Sequence, residues 1–234
     1  MLNEINGHTL IGSELSADSI VIDLGAHRGA FAHGVLNAFG CRCYSVEANP
    51  VLAKQIPHHP RLSVHNLAIA GHQGFVELHL STNPEASTIL DNKGDSSRGV
   101  RVEAMTLPAF LQSVSVERVD LVKFDIEGAE IEALSACSDD LLASIPQLTI
   151  EFHDFMGWYS ADAVAPIIAR LERLGFFTLK MWRSAWGDTL LVNRHKTTVS
   201  AAELYYAKCV VTNWRRLKQA TIRATAKMPE RFRR

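Results

Sequence analysis

A mostly parallel α/β sheet covered by helices is the fold class that the sequence predicts. Short runs of Val, Ile and Leu alternate with segments of helical period, the pattern of strands joined by crossover helices. Acidic residues stand where several of those runs end (Asp23, Glu47, Asp125 and Glu151). The chain has 234 residues, 47% hydrophobic and 21% charged. At that length one core can bury roughly three quarters of the unfolded surface, so no disulfide or metal staple is required.

Each element has a local reason. Residues 19–23 read as a buried strand, followed by Leu24-Gly25-Ala26-His27-Arg28-Gly29 and a helix over 30–39 that Gly40 closes. Residues 42–46 form a second strand ending at Glu47, and Asn49-Pro50 opens a helix with an N-cap and a proline at its first position. A third strand is expected over 62–69. Residues 75–80 and 100–103 alternate apolar and polar positions and suggest antiparallel additions around a polar loop, 81–98. A loop of that length is either functional, such as a lid, or a surface excursion. Residues 119–124 give a fourth strand, then Asp125-Ile126-Glu127-Gly128 and a helix over about 129–137. Residues 147–152 give a fifth, 161–174 a helix stopped by Gly175, and 176–181 with 189–192 two closing strands.

The net charge of −1 conceals a division. Residues 194–234 carry eleven Lys/Arg against Glu203 and Glu230, so the body before them is strongly acidic. Ser200 and Glu203 form a capping box for a basic amphipathic helix, with Leu204, Val211, Trp214 and Leu217 on one side. Lys208, Arg215, Lys218, Arg223 and Lys227 lie mostly elsewhere around it. The expected organisation is therefore a domain over 1–193 and a basic helical extension over 194–234. Such a helix either docks on the domain or a second copy of the chain, giving a homo-oligomer, or lies peripherally on an anionic membrane. The acidic body and the lack of base-stacking motifs disfavour nucleic acid.

No apolar run approaches the ~18 residues of a membrane span, and Met1 to Ser16 has no basic stretch of a secretory signal. Four scattered cysteines indicate neither a zinc site nor a disulfide framework. A reduced, cytoplasmic protein is expected.

The strongest chemical signal is Asp23-Leu24-Gly25-Ala26-His27-Arg28-Gly29 between a strand and a helix. Glycines there let backbone approach a ligand. The spacing lacks the third glycine of the dinucleotide fingerprint, and Asp23 would repel a pyrophosphate. A ligand with a sulfonium, an amino group and no phosphate, S-adenosylmethionine, fits instead. Glu47, 22 residues past Gly25, suits the two hydroxyls of an adenosine ribose. Phe31 is a residue to pack beneath the loop or simply core. Asp125 and Glu127 share one face after the fourth strand, and Glu151 and His153 repeat the pattern after the fifth. Such groups can orient an acceptor hydroxyl and take its proton, or hold a divalent metal, or merely cap turns.

These residues occur in an order that resembles the FkbM family of S-adenosylmethionine-dependent methyltransferases. The resemblance rests on residues 21–29, on Val46-Glu47-Ala48-Asn49-Pro50, on His65-Asn66-Leu67-Ala68 and on the run from Asp120 to Glu130. Gln147-Leu148-Thr149-Ile150-Glu151 and Gly175-Phe176 continue it, to cover about 18–193. It implies a Rossmann-like class I methyltransferase fold: a seven-stranded, mostly parallel sheet with an antiparallel last strand. It also implies O-methylation of a sugar, glycan or polyketide-type hydroxyl. Asp23, Gly25 and Gly29 match the cofactor loop and Glu47 the ribose acid; Asn66 is implied near the adenine and Asp125 near the methionine end. The family's usual Glu-Pro-Asn-Pro is Glu-Ala-Asn-Pro here, and His27-Arg28 replaces a commoner Asn-hydrophobic pair. Glu127, Glu151 and His153 are the candidates for catalysis, with the base role falling most on His153. Two rival readings are a nicotinamide-dependent oxidoreductase and a non-catalytic module that grips an anionic surface through its tail.

Overall fold

The computed structural model describes residues 2–79, 99–182 and 185–211. A β-hairpin comes first: β1 (Leu2–Ile5) pairs antiparallel with β2 (His8–Ile11). Asn6 and Gly7 turn it with φ of 47° and 83°, the left-handed pair that a two-residue hairpin loop demands. The central sheet follows from β3 (Ile20–Leu24), α1 (Ala30–Phe39), β4 (Arg42–Val46), α2 (Pro50–Ala53) and β5 (Leu62–His65). Then come β6 (Ala68–Ile69), β7 (Gly74–His79), β8 (Gly99–Met105), α3 (Leu107–Ser113) and β9 (Leu121–Phe124). The rest is α4 (Glu130–Ser135), α5 (Asp139–Ser144), β10 (Gln147–Ile150), α6 (Ala161–Arg173), β11 (Phe176–Lys180), β12 (Thr189–Asn193) and α7 (Ala201–Tyr206).

Seven strands order as β11-β12-β10-β9-β3-β4-β5. Only β12 runs against its neighbours, as the resemblance implied. From central β3 the chain winds outward through β4 and β5, then returns to β9 on the other flank of β3. The carboxyl ends of β3 and β9 are thus adjacent, with Leu24 opposite Phe124, at the point where strand order reverses. Ligands of open α/β sheets bind in that crevice. Behind it, Phe110, Phe124, Phe152, Leu107 and Leu134 are fully buried between sheet and helices. Each such side chain stabilises the fold by about 1.5–3 kcal/mol.

Local signals hold at the caps. Asn49 Oδ1 accepts from Val51 N at 2.9 Å with Pro50 at the first helical position, and Gly40 ends α1 at φ 66°. Ser200 and Glu203 form the expected capping box. Leu204 and Ala207 are buried against Ile11, Phe177, Leu179 and Val192, so the start of the extension docks on the sheet. The basic helix beyond Val211 and the loop 81–98 lie outside the described residues.

The third strand departs from expectation. Residues 62–69 are two strands in two sheets, because Asn66 turns its amide onto the Glu47 and Ala48 carbonyls at 2.8 and 3.0 Å and interrupts the run. Past that break β6 pairs with β8, and β7 completes this smaller sheet antiparallel to β8, as the alternation of residues 75–80 and 100–103 predicted. The hairpin, α3 and α5 were not anticipated.

Candidate functional site

The carboxyl ends of β3, β4, β9 and β10 open onto a cavity of about 370 Å³, within the range of small-molecule sites. On one side of β3 its wall includes Leu52, Leu67, Ala68, Ile69 and Leu78 around Glu47; on the other it includes Asn6, His8, Asp125, Glu127 and Glu151.

The β4 side is built on backbone. Glu47 Oε2 accepts from His27 N at 2.6 Å and Oε1 from Asn49 N at 2.8 Å. Each oxygen keeps a lone pair, so the carboxylate is oriented and can still accept two hydroxyls. Burial raises its pKa, and the two backbone donors oppose the rise. Gly25 lines the cavity at φ 75°, where a Cβ would overlap the Asp125 carbonyl oxygen. Glycine there lets two loops meet as well as exposing backbone to a ligand.

The β9–β10 side is built on side chains. Lys123, in the middle of β9, is 2% exposed. Its ammonium lies 3.1 Å from Asp23 Oδ1 and 3.3 Å from Asp125 Oδ2 and donates to the Gly25 carbonyl at 2.8 Å. Burial works against the Lys123 charge, and the two aspartates overcome it, so its pKa is raised. Burial likewise works against Asp125, but Lys123, His8 and His153 hold that carboxyl well below the usual range. His153 lies behind the wall: Nδ1 is 2.9 Å from Glu130 Oε1, and Nε2 is 3.3 Å from Glu127 Oε2 and 3.6 Å from Asp125 Oδ1. Burial would discharge the imidazole, yet its bond to Glu130 and the charges of Glu130, Glu127 and Asp125 push its pKa up to about 9. Glu130, fully buried, also accepts from Ile126 N, Gly128 N and the Tyr159 hydroxyl, which itself accepts from His153 N. Glu127 sits at φ 53°, an uncommon conformation for a side-chain-bearing residue. Burial, opposed by His153 and aided by Asp125, pushes its pKa up to about 7. Burial and the charge of Asp125 raise Glu151 as well.

Five of the expected site residues line the cavity: Gly25, Glu47, Asp125, Glu127 and Glu151. Four do not form its wall. Asp23 is fully buried and neutralised by Lys123, so repulsion of phosphate falls to Asp125 and Glu127 rather than to Asp23. Gly29 starts α1 at φ 79° against Ile56, Asn66 spends its amide on backbone carbonyls, and His153 stands behind Glu127. Ligand atoms of His8, Asp125 and Glu151, and of Asp125, Glu127 and His153, cluster within 4.8 Å. Those donor types suit a divalent ion, but Lys123 and protonated His153 already compensate the carboxylates. The sequence reading missed Lys123, Glu130, Tyr159 and His8. A charge inside the apolar run Leu121-Val122-Lys123-Phe124 was the available signal for Lys123; Glu130 closes the run on which the family resemblance rests, without a role attached to it, and His8 has only the Asn6-Gly7 turn beside it.

A doubly wound sheet with an oriented carboxylate and a carboxylate-rich crevice at its switch point defines an α/β domain of the ligand-binding kind. Residues 23–178 match the methyltransferase FkbM domain, and the chain belongs to that family. The AMB antimetabolite synthetase AmbE of Pseudomonas aeruginosa is 26% identical over 159 residues, 63% of this chain. The chain spans only 7% of that relative's length. Among solved structures, the Methanococcus jannaschii fibrillarin pre-rRNA processing protein is similar at 11% identity and TM-score 0.44, over 82% of this chain and 70% of that one. CalO1, a methyltransferase in calicheamicin biosynthesis solved with SAH bound, is similar at 14% identity and TM-score 0.39, over 76% and 50%. Among the described residues no helix is long and apolar enough to cross a membrane.

Proposed function

We propose that the chain transfers a methyl group from S-adenosylmethionine to a hydroxyl of a small acceptor of the sugar, glycan or polyketide type. The observation that carries this reading is one cavity with an oriented carboxylate, Glu47, on one side of β3 and three more, Asp125, Glu127 and Glu151, on the other. A ribose suits the first, and a ligand with sulfonium and ammonium charges suits the others. The same three carboxylates oppose the pyrophosphate of a nicotinamide cofactor. The relative named for antimetabolite synthesis supports a natural-product acceptor.

S-adenosylmethionine, when bound, supplies an electrophilic methyl group. Forming the O–CH3 bond at the expense of the S–CH3 bond would release the acceptor's proton, which needs a base. Glu127, at about 7, is poised for that proton at neutral pH. His153, at about 9, is already protonated and serves as the cation 3.3 Å from Glu127, in place of the base role expected for it. Glu151 is a second carboxylate for orienting the hydroxyl. The basic tail is proposed to serve contact with a second copy or an anionic membrane surface, in a cytoplasmic protein.

Two measurements test the reading. Labelled methyl should pass from S-adenosylmethionine to members of a panel of hydroxylated small molecules. In calorimetry, Glu47→Gln should weaken S-adenosylhomocysteine binding by about 10- to 100-fold, the scale of hydrogen bonds to a charged group. Unchanged affinity in that variant, or tighter binding of NAD than of S-adenosylhomocysteine, overturns it.

A further inference from the structure

His8 belongs to no part of the family match, which begins at residue 23, yet it lines the cavity. The hairpin is pinned at both faces of β2. Thr9 N and Oγ1 donate to Asp188 at 3.1 and 2.6 Å, and Ile11 exchanges hydrogen bonds with the Gln147 side chain at 2.9 and 3.3 Å. On the alternate face Leu10 packs with Val21, Phe31 and Leu121, and the His8 ring meets Phe31 edge-on at 5.5 Å. Strand periodicity then leaves the His8 ring one direction. Its Nε2 lies 3.4 Å from Asp125 Oδ2 and 4.0 Å from Glu151 Oε2, across the carboxyl ends of β9 and β10. Its Nδ1 is enclosed and has no hydrogen-bond partner among the described residues. A bare lone pair on Nε2 would face two carboxylates, so Nε2 carries the proton.

We infer that His8 is a positioning residue of the methyl-transfer site: the N-terminal hairpin sets an N–H group between Asp125 (3.4 Å) and Glu151 (4.0 Å) that favours the negative form of both where the sulfonium would lie. The inference rests on the proposed function. Glu151 is faced by Asp125 and Lys123 of the β9 end, by Glu127 of the following loop, by His153 of its own segment and by His8 of β2. Three of those are cations or donors, and His8 is the one contributed from outside the family domain. Remove it, and the like charges of Asp125 and Glu151 meet with less compensation. Glu151 then keeps a proton to higher pH, and the site loses attraction for a cationic sulfur while a neutral one is little affected.

S-adenosylmethionine and S-adenosylhomocysteine differ by that charge, so their affinity ratio reads it. The ratio is measured by calorimetry on the full chain from pH 5.5 to 8.5 for wild type, His8→Phe and His8→Gln. His8→Phe keeps the ring on Phe31 and deletes the donor. It should lower the preference for S-adenosylmethionine about tenfold near pH 6, the scale of one hydrogen bond to a charged group. The midpoint of the ratio's pH dependence should move upward, with S-adenosylhomocysteine affinity within about twofold of wild type. His8→Gln restores a donor and should restore the ratio. Equal weakening of both ligands with an unmoved midpoint, or no change, overturns the inference, as does a Gln variant that loses the ratio. Should the Phe variant fail to fold, His8→Leu, which also lacks a donor, takes its place with the same expected fall in the ratio. A wild-type chain that binds neither ligand overturns the proposed function and this inference with it.

Discussion

Glu47 and Asp125 stand on either side of β3 and face the same cavity, but the chain supports them by different means. Glu47 is held by two backbone N–H groups, of His27 and Asn49, which cannot titrate. Asp125 is held by Lys123, His8 and His153, which are in turn held by Asp23, Glu130 and Tyr159. The β4 side is thus a rigid receptor whose geometry follows from two turns. The β9–β10 side is a network of compensating charges, and removal of one member leaves others buried and unpaired. On the proposed reading, recognition of the ribose rests on the first side, and recognition of the sulfonium together with proton transfer on the second.

The sharpest way to break this contrast is to remove the cation at the centre of the network. Lys123→Met leaves Asp23 with no cation among the described residues and strips Asp125 of its nearest one. Breaking a buried ion pair from one side costs about 3–5 kcal/mol. Urea denaturation should show a loss of that size, and a loss below about 1 kcal/mol would mean that the network does not carry charge as described.

Glu130→Gln is the next largest. The glutamine keeps the size of the side chain but cannot accept from every donor now converging on the carboxylate, namely Ile126 N, Gly128 N, Tyr159 and His153. A loss of about 2 kcal/mol is expected, the cost of a buried donor left unmatched. The same variant should bring the His153 pKa down from about 9 toward 6.5, observable by NMR titration of the imidazole. An unchanged His153 titration would place the source of its charge elsewhere.

The same contrast explains what was legible in the sequence. Gly25, Glu47, Asp125, Glu127 and Glu151 each follow an apolar run by a few residues, so strand ends located them without tertiary information. The caps at Asn49 and Ser200 are equally local. His8 is different: its site partners lie 117 and more residues away, and a four-residue strand around an Asn-Gly turn is a slight signal. Glu130 looks like any acid in the first turn of a helix until Tyr159 and His153 converge on it. Residues 62–69 read as one strand because their composition is uniform; the break comes from Asn66 reaching back to the Glu47 and Ala48 carbonyls. Asp23 read as a ligand-facing acid because its cation, Lys123, is 100 residues distant.

The smallest expected effect concerns pH, and it probes the β9–β10 side without disrupting it. Glu127 has its pKa raised from 4.5 to about 7 and His153 from 6.5 to about 9. Both bind protons more tightly folded than unfolded, so stability falls as pH rises across these ranges. The Glu127 contribution is fully present below pH 4.5 and is lost as pH passes about 7; that of His153 is fully present below 6.5 and is lost through about 9. Glu127 is 28% exposed, so solvent reduces its share to about 1–2 kcal/mol. Melting curves from pH 5 to 9 should therefore show a declining midpoint, and Glu127→Gln should flatten the decline below pH 7.5 and move the His153 portion to lower pH, because Glu127 contributes to the raised His153 pKa. A decline that survives Glu127→Gln intact would move the titrating group away from the cavity, and with it the argument that the β9–β10 side governs proton transfer.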